Sequence, residues 1–209
     1  MRVLVACEES QVVCKAFRER GHEAYSCDVQ ACSGGHPEWH IMHDAVEVAY
    51  TGLWDLIIAF PPCTYLSKVS NAFFNTEKYG DRAVLRKQLS EKAKQFFITL
   101  YDAPVDKIAI ENPVGFMSSW KKPSQIIQPW YFGDPVQKTT CLWLRGLRRL
   151  NGNPSYKKPI PIRIRENHRS KNVTWAESLL STISCHKERA KVRSKTFPGI
   201  AKAMAEQWG

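Results

Sequence analysis

The sequence has no apolar run long enough to cross a membrane. A membrane-spanning helix needs about 20 consecutive apolar residues, and charged residues interrupt every apolar stretch of this chain before that length. The N-terminus also lacks the charged-then-apolar layout of a secretory signal, because Arg2–Ala6 has the composition of a core strand. We therefore expect no membrane association and a cytoplasmic protein.

The seven cysteines are an odd number without a repeated spacing, which argues against a disulfide framework. We expect reduced thiols, most of them small core residues. Cys27, Cys32, His36, His40 and His43 lie within 17 residues and are spaced loosely like zinc ligands. The glycines and the proline among them mark a loop, so we prefer ordinary loop and core residues and expect no bound metal.

The length of 209 residues suits one well-buried domain, 1–209, and is too short for two ordinary ones. Charge is spread unevenly along it. Residues 1–120 carry 12 Lys and Arg against 15 Asp and Glu, a net of −3, whereas residues 121–209 carry 18 against 5, a net of +13. This asymmetry favours a polyanionic partner, with 145–195 as a small basic DNA-contact region. A generally basic, solvated surface is the alternative.

Alternating strand-like and helix-like stretches predict an α/β fold with a mostly parallel sheet and helices on both faces. The predicted strands are Arg2–Ala6, Glu23–Cys27, Leu56–Phe60, Lys107–Ile110, Thr139–Leu144 and Ile160–Ile164, and the predicted helices are Gln11–Arg20, Asp81–Tyr101 and Ile200–Trp208. The helix Asp81–Tyr101 is predicted to be amphipathic, with an apolar face of Leu85, Leu89, Ala93, Phe96, Phe97 and Leu100. Ligands of such sheets bind beyond the carboxyl ends of the strands. This rule selects Cys7–Ser10, Asp28, Pro61–Ser67 and Glu111–Pro113.

A thiol stands in the loop after Leu56–Phe60, where the chain reads Pro61-Pro62-Cys63. Two consecutive prolines fix the backbone and carry no amide protons, so the next side chain is held at a defined place. A thiol held there can serve as a nucleophile if its pKa is lowered or the reaction is driven forward. A proline-rich loop with an incidental cysteine is the alternative.

Glu111 directly follows the apolar strand Lys107–Ile110 and precedes Asn112-Pro113. A solvated strand end would explain it, but together with Cys63 on a neighbouring strand end it fits one mechanism. Addition of a thiolate to carbon 6 of a pyrimidine builds electron density at carbon 5, and a carboxyl group that donates to ring nitrogen 3 stabilises that charge. Carbon 5 then takes a methyl group from a sulfonium donor.

Seven segments stand in the order typical of one family: ACEESQVVCKAF, YSCDV, HIMHDA, FPPCTYLS, IENPVGF, PWYFGDPVQKTTCLWLRGL and RSKTFPGIAKAMAEQW. On these segments the chain resembles the DNA cytosine-5 methyltransferases, and most closely their short phage-encoded members without a large target-recognition domain. The resemblance implies a Rossmann-like methyltransferase fold and S-adenosylmethionine as the cofactor. It also implies DNA, double-stranded in our reading, as the substrate, and the host cytoplasm as the location.

The resemblance further implies roles for single residues. Cys63 would be the nucleophile, next to Pro62 in the catalytic loop, and Glu111 would bind nitrogen 3 while Asn112 holds that loop. Asp28 would accept from the ribose hydroxyls of the cofactor. The implied cofactor-binding residues are Cys7, Glu8, Glu9, Ser10, Asp28, Val29, Asp44 (at the adenine amino group), Ala45, Phe60 and Thr196. The implied substrate-binding residues are Ser67, Gln137, Lys138, Arg145 and Arg193.

The sequence departs from the family pattern at three places. The Gly-rich first turn is replaced by Cys7-Glu8-Glu9-Ser10, whose carboxylates would repel the cofactor carboxylate or face its ammonium group. Gln137-Lys138-Thr139 lacks the arginine expected to hold the carbonyl of the base. The segment before the last helix is too short for a large recognition region. Three alternatives stay open: methylation of an exocyclic amino group, a catalytically silent DNA-binding protein, and a subunit that needs a protein partner.

Overall fold

The computed structural model describes residues 1–68, 73–160, 162–166, 169–173, 184–185 and 195–209. Its main strands are β1 (Arg2–Ala6), β2 (Glu23–Asp28), β3 (His40–Met42), β4 (Leu56–Ala59), β5 (Lys107–Pro113), β6 (Gln125–Ile127) and β7 (Thr140–Arg145). They form one seven-stranded sheet in the order β3-β2-β1-β4-β5-β7-β6. The strands β1 to β5 are parallel, and β7 runs antiparallel to β5 and β6.

Helices cover both faces of this sheet. They are α1 (Val12–Glu19), α2 (Ala45–Ala49), α3 (Thr76–Tyr79), α4 (Asp81–Tyr101), α5 (Met117–Trp120) and α6 (Pro198–Trp208). Side chains alternate along a strand, so Leu4 packs in the core cluster that holds α2 and α4, whereas Val3 and Val5 pack in the cluster that holds α1 and α6. The α/β class with a mostly parallel sheet and helices on both faces is therefore confirmed.

The chain order reverses at β1, which lies between β2 and β4. In doubly wound sheets a crevice opens beyond the carboxyl ends of the strands at such a switch point, because the connections leave it in opposite directions. The order 3-2-1-4-5 of the parallel strands is consistent with a Rossmann-like fold. Within the described ranges, no helix is both long and apolar enough to cross a bilayer.

The long predicted elements are found with small shifts at their ends. The helix Asp81–Tyr101 has the predicted bounds, whereas β5 runs three residues further than predicted, to Pro113. The extension follows from pairing with β7, which continues along β5 to the bridge between Pro113 and Thr140. The prediction missed the short elements β3, α2 and β6, whose three to five residues carry too little periodicity to be read alone.

The apolar face predicted for α4 is wrong at its N-terminal half. Leu85, which we placed on the buried face, is 57% exposed, and Val84 beside it is 47% exposed. Only Ala83 and Ser90 are buried in this half, while Phe97 and Leu100 enter the core further along. Val84 and Leu85 of this half therefore stay on the surface.

The predicted strand Ile160–Ile164 is shifted by two residues. Strand β8 (Ile162–Glu166) pairs antiparallel with β9 (Arg169–Val173) in a separate two-stranded sheet. This hairpin lies in the predicted basic region 145–195. The rest of that region after 173, apart from Ser184, Cys185 and Lys195, lies outside the described residues.

Candidate active site at the carboxyl ends of the strands

The strand register places four predicted site residues in neighbouring positions at one edge of the sheet. Ala6 of β1 pairs with Cys27 of β2 and with Ala59 of β4, and Ala59 pairs with Ile110 of β5. The residues that follow this row are Cys7, Asp28, Phe60 and Glu111. Because the strands are parallel and in register, the four backbone positions line up beyond β1, β2, β4 and β5.

The loop after β4 presents Cys63 to solvent. Pro61 is buried, whereas Pro62 and Cys63 are exposed. The backbone turns directly after the thiol, because the amides of Leu66 and Ser67 both donate to the Cys63 carbonyl, at 3.0 and 3.1 Å. The two prolines and this turn fix the backbone on both sides of Cys63.

Asn112 ties this loop to β5. Its side chain is 1% exposed, and its Nδ2 donates to the carbonyl oxygen of Pro61 at 2.9 Å. Its Oδ1 is buried and has no hydrogen-bond partner among the described residues. A buried amide is costly unless it is bonded, so the single bond to Pro61 is the contact that accounts for an asparagine here.

A second set of contacts joins the same loop to the turn after β5. The Phe116 amide donates to the Leu66 carbonyl at 2.8 Å, and the Lys68 amide donates to the Val114 carbonyl at 3.3 Å. Ser67 forms a bridge with Gly115. A Cβ built on Gly115 would lie 1.9 Å from the Leu66 carbonyl oxygen, so only glycine allows the two backbones to meet.

The surroundings of the Glu111 carboxyl shift its pKa. Desolvation by burial raises the pKa of Glu111 above its ordinary value, while the charge of Lys138 and the nearby Thr140 side chain lower it in part. The Thr140 hydroxyl itself donates to the Lys138 carbonyl at 3.2 Å. A raised pKa keeps more of this carboxyl protonated near neutral pH. The arrangement also brings the predicted substrate residue Lys138 close to Glu111; the Lys138 ammonium lies 5.6 Å from the centre of the Phe197 ring as well.

The turn after β1 has a left-handed backbone without glycine. Cys7 and Gln11 adopt φ values of 59° and 58°, a conformation that usually favours glycine. Gln11 is fully buried, and its side chain accepts from the His36 amide at 3.1 Å and donates to the His36 carbonyl at 2.8 Å. These two bonds hold the turn against the loop before β3, which offsets the strain of the backbone.

The Glu8 carboxylate is directed toward the start of α1. Its carboxylate accepts from the amides of Val13 at 2.7 Å and Cys14 at 3.1 Å, in the first turn of α1. Burial raises the pKa of Glu8 to about 7, although the two amide bonds lower it. The side chain therefore satisfies helix amides that otherwise lack partners, and neither repulsion of a cofactor carboxylate nor contact with its ammonium group fits this position.

Two further carboxylates lie around Cys7. Burial raises the pKa of the Cys7 thiol strongly, and Asp28, Cys27 and Asp44 add to the increase. Oδ1 of Asp28 accepts from the Gln30 amide, and Oδ1 of Asp44 accepts from two amides of α2 as its N-cap. Oδ2 of each carries no hydrogen bond in the described part of the chain, so both remain available as acceptors. Val29 beside Asp28 is 72% exposed, and Ala45 is buried in α2.

The position of Arg145 does not support its predicted role in substrate binding. Arg145 pairs with Ile108 near the start of β5, at the opposite edge of the sheet from Cys63. Its guanidinium donates to the carbonyls of Tyr101, Ala103 and Val105. The residue stabilises the C-terminal end of α4, where carbonyl groups lack helical partners.

The remaining predicted site residues are Gln137, Thr196, Arg193, Glu9 and Ser10. The side-chain Nε2 of Gln137 donates to the Pro159 carbonyl at 2.8 Å, and this bond fixes Gln137 to the loop after β7. Thr196 is half-buried just before α6, whose Gly199 amide donates to Asp134 at 2.9 Å. Arg193 lies outside the described residues. Glu9 and Ser10 follow Glu8 in the first turn, and the Glu9 carbonyl accepts from the Ser33 amide.

The cysteine and histidine cluster makes ordinary hydrogen bonds. The Cys27 thiol donates to the His43 carbonyl, and the two ring nitrogens of His40 lie 2.8 Å from the Ser26 hydroxyl and from the Gln30 carbonyl. Among the described residues, no group of three His, Cys, Asp or Glu side chains is placed to hold a metal.

Sequence reasoning missed three residues that shape the site: Glu8 as a helix cap, Gln11 as the clamp of the first turn, and Thr140 as a polar neighbour that lowers the pKa of Glu111. An acidic residue shortly before an amphipathic helix is a signal that could have indicated the cap. Gln11 and Thr140 act across distances of 25 and 29 residues in the chain, and no local pattern indicates such contacts. No protein-family model matches the chain, and a search of curated proteins finds no significant relative.

Proposed function

We propose that this protein is an S-adenosylmethionine-dependent DNA methyltransferase that acts on carbon 5 of cytosine, with Cys63 as the nucleophile. The observation that carries the proposal is the hydrogen bond from Asn112 to the Pro61 carbonyl. It fixes the thiol loop to the strand that bears Glu111, so that an exposed thiol and a carboxyl of raised pKa are held on adjacent strand ends. The family resemblance of the sequence supports the same assignment.

In this mechanism each residue moves a defined proton or electron pair. The Cys63 thiol loses its proton to solvent, and Sγ bonds to carbon 6 of the cytosine. The electron pair of the 5,6 double bond moves to carbon 5, while the protonated Glu111 donates to nitrogen 3 and disperses the charge. Carbon 5 would take a methyl group whose bonding pair to the sulfonium stays on sulfur, and would then lose its own proton to water. The double bond re-forms, nitrogen 3 returns its proton to Glu111, and the Cys63 thiolate leaves.

Two carboxylates near Cys7 support S-adenosylmethionine as the cofactor. Oδ2 of Asp28 would accept from ribose hydroxyls, Oδ2 of Asp44 would accept from the adenine amino group, and the exposed Val29 would contact the face of the adenine. The left-handed backbone at Cys7 replaces the glycine of the usual turn. The cofactor, when bound, supplies an electrophilic methyl group on a sulfonium.

The test is incubation with labelled S-adenosylmethionine and mixed DNA, followed by mass analysis of the nucleosides. We expect 5-methylcytosine from the wild-type protein and none from Cys63→Ser, because the hydroxyl is a far weaker nucleophile than the thiolate. Methylation of an exocyclic amino group needs no thiol, so methyladenine or another methylcytosine isomer, retained in Cys63→Ser, would establish that alternative.

A second candidate is a catalytically silent DNA-binding protein or a partner-dependent subunit with the same fold. The position of Glu8 favours it, because its carboxylate takes the α1 amides of Val13 and Cys14 that could otherwise bind the carboxylate of a cofactor. Calorimetry with S-adenosylmethionine separates the candidates. Binding counts against a silent protein, and absence of binding would contradict the methyltransferase proposal.

A further inference from the structure

A patch of aromatic and basic side chains lies beside Cys63, outside the basic region predicted to hold DNA. Its centre is Arg86 of α4, whose guanidinium carbon lies 5.2 Å from the centre of the Tyr65 ring and 4.9 Å from that of Phe73. Phe73 lies 5.7 Å from Tyr79, and the Lys78 ammonium lies 5.3 Å from the Tyr79 ring. Basic groups and aromatic rings therefore alternate along the surface that begins at the loop that carries Cys63.

The patch is fixed to the thiol loop by direct bonds. The Arg86 guanidinium donates to the carbonyl of Thr64, the residue after Cys63, at 3.3 Å. The Ser90 hydroxyl donates to the carbonyl of Tyr65 at 3.0 Å. A polymer that reaches Cys63 with one unit therefore passes this part of α4 with the adjacent units.

The segment 73–94, which carries most of this patch, is positively charged within an acidic half of the chain. Residues 73–94 carry six Lys and Arg against three Asp and Glu, whereas the rest of residues 1–120 carries six against twelve. Two of the three acidic residues, Glu77 and Asp81, lie in the first turns of α3 and α4, where the helix dipole favours them. Arg82 is exposed and lies one turn before Arg86 on the same side of α4. A net positive surface on an otherwise acidic half complements a phosphate backbone.

The exposed apolar groups favour unpaired bases over a duplex. Phe73 is 43% exposed although it is a large aromatic residue. Rings flanked by arginine and lysine are the usual platform on which single-stranded bases stack, because each base offers a π-face and the cations bind the backbone. Stacked base pairs of a duplex expose no such face.

From these observations we infer that Tyr65, Phe73, Tyr79, Arg82 and Arg86 form a binding surface for unpaired nucleotides that flank the target base. The inference deepens the proposed function and rests on it for the identity of the target. It names a single-stranded or locally opened nucleic acid as the substrate, in place of an intact double helix. The strand would stack a base on Phe73 and place phosphates at Arg82.

The test measures fluorescence anisotropy of the full chain with a labelled DNA single strand of about 15 nucleotides, and with the same strand annealed to its complement. Phe73→Ala should weaken single-strand binding by roughly five- to a hundred-and-fifty-fold, while Phe73→Trp keeps the stacking and binds like wild type. Arg82→Ala should lower the slope of log affinity against log salt by about 0.7, the value of one phosphate contact on a single strand.

Lys202→Ala is the matched control, since it removes one exposed positive charge from α6 on the other face of the sheet. Thermal unfolding by circular dichroism verifies that each variant folds, and Arg82→Ala alters an exposed residue, so it tests the inference if Phe73→Ala fails to fold. If both Phe73→Ala and Arg82→Ala bind the single strand like Lys202→Ala, the inference is wrong. An equal loss of single-strand and duplex binding would overturn the assignment to unpaired bases.

Methylation is measured on the same preparations, so the two proposals fail separately. Single-strand binding that depends on Phe73, without any methylation, leaves the surface established and removes the proposed enzyme activity. Methylation that is unchanged in Phe73→Ala and Arg82→Ala, together with unchanged binding, leaves the activity and removes the surface.

Discussion

Replacement of Asn112 by alanine should release the loop that carries Cys63. The variant loses the hydrogen bond to the Pro61 carbonyl, worth about 0.5 to 1.5 kcal/mol, and leaves that carbonyl in a buried setting at a cost of about 1 to 3 kcal/mol. Removal of the unpartnered Oδ1 of Asn112 offsets part of this loss. We expect a net decrease of about 1 to 3 kcal/mol in the free energy of unfolding. Asn112→Asp should cost more, because a carboxylate oxygen would face the Pro61 carbonyl oxygen.

The loop and the global stability can be measured separately. Urea unfolding gives the free energy, and hydrogen exchange of the Leu66 and Ser67 amides, both bonded to the Cys63 carbonyl, reports on the loop. If the free energy of opening this loop falls by about 1 to 3 kcal/mol, exchange of the two amides accelerates by roughly five- to a hundred-and-fifty-fold. Ser124→Ala is the control, because it removes a hydroxyl bonded to the Leu144 backbone at the far end of β7. Exchange at Leu66 and Ser67 that is equally slow in wild type and Asn112→Ala would refute the claim that Asn112 holds this loop.

Three further predictions concern charged groups. The pKa of Glu8 is about 7 in the folded chain and 4.5 as a free group, so the folded state binds more protons than the unfolded state between these pH values. The free energy of unfolding should therefore fall by about 3 kcal/mol as the pH rises from 4.5 to 7. Glu8→Gln should flatten this pH dependence in urea titrations at several pH values, and an unchanged slope would contradict the prediction. The raised pKa of Glu111 predicts that the methylation rate falls as the pH rises through that pKa. Glu111→Gln should lower the rate by about 10² to 10⁴. Because Lys138 lowers the pKa of Glu111, Lys138→Met should move the loss of activity to higher pH, and a shift to lower pH would refute the assignment. Arg145→Ala should lower the free energy of unfolding by about 2 to 4 kcal/mol through loss of its three carbonyl contacts, with unchanged DNA binding by anisotropy; weaker binding would restore the role in substrate contact.

The long elements could be predicted because their patterns are local. The bounds of α4 were predicted from apolar residues spaced by three and four, and β4 is a continuous apolar run, as is β1 after Arg2. The exposure of Leu85 could not be predicted, since the helical period is the same whether or not a sheet lies beneath it. The end of β5 depends on β7, which pairs with it from more than 25 residues further along the chain.

The candidate site also has a part that the local sequence predicts and a part that only the sheet determines. The motif Pro61-Pro62-Cys63 and the strand end at Glu111 stand in the sequence as a thiol and a carboxyl after two apolar strands. That the strands are neighbours, in a register that aligns Ala59 with Ile110, is a property of the sheet alone. The opposite directions of β5 and β7 also separate Lys138, near Glu111, from Arg145 at the other edge.

The sequence by itself determined which groups are present: an α/β chain, a thiol after a double proline, and an acidic residue followed by asparagine, because composition and period are local properties. Only the tertiary structure decided what those groups touch. It placed the Glu8 carboxylate on helix amides and the Asn112 amide on the Pro61 carbonyl. It also placed Arg86 beside Phe73. Hydrogen bonds and ring contacts act over a few ångströms in space, and the chain brings their partners together only when the sheet has formed.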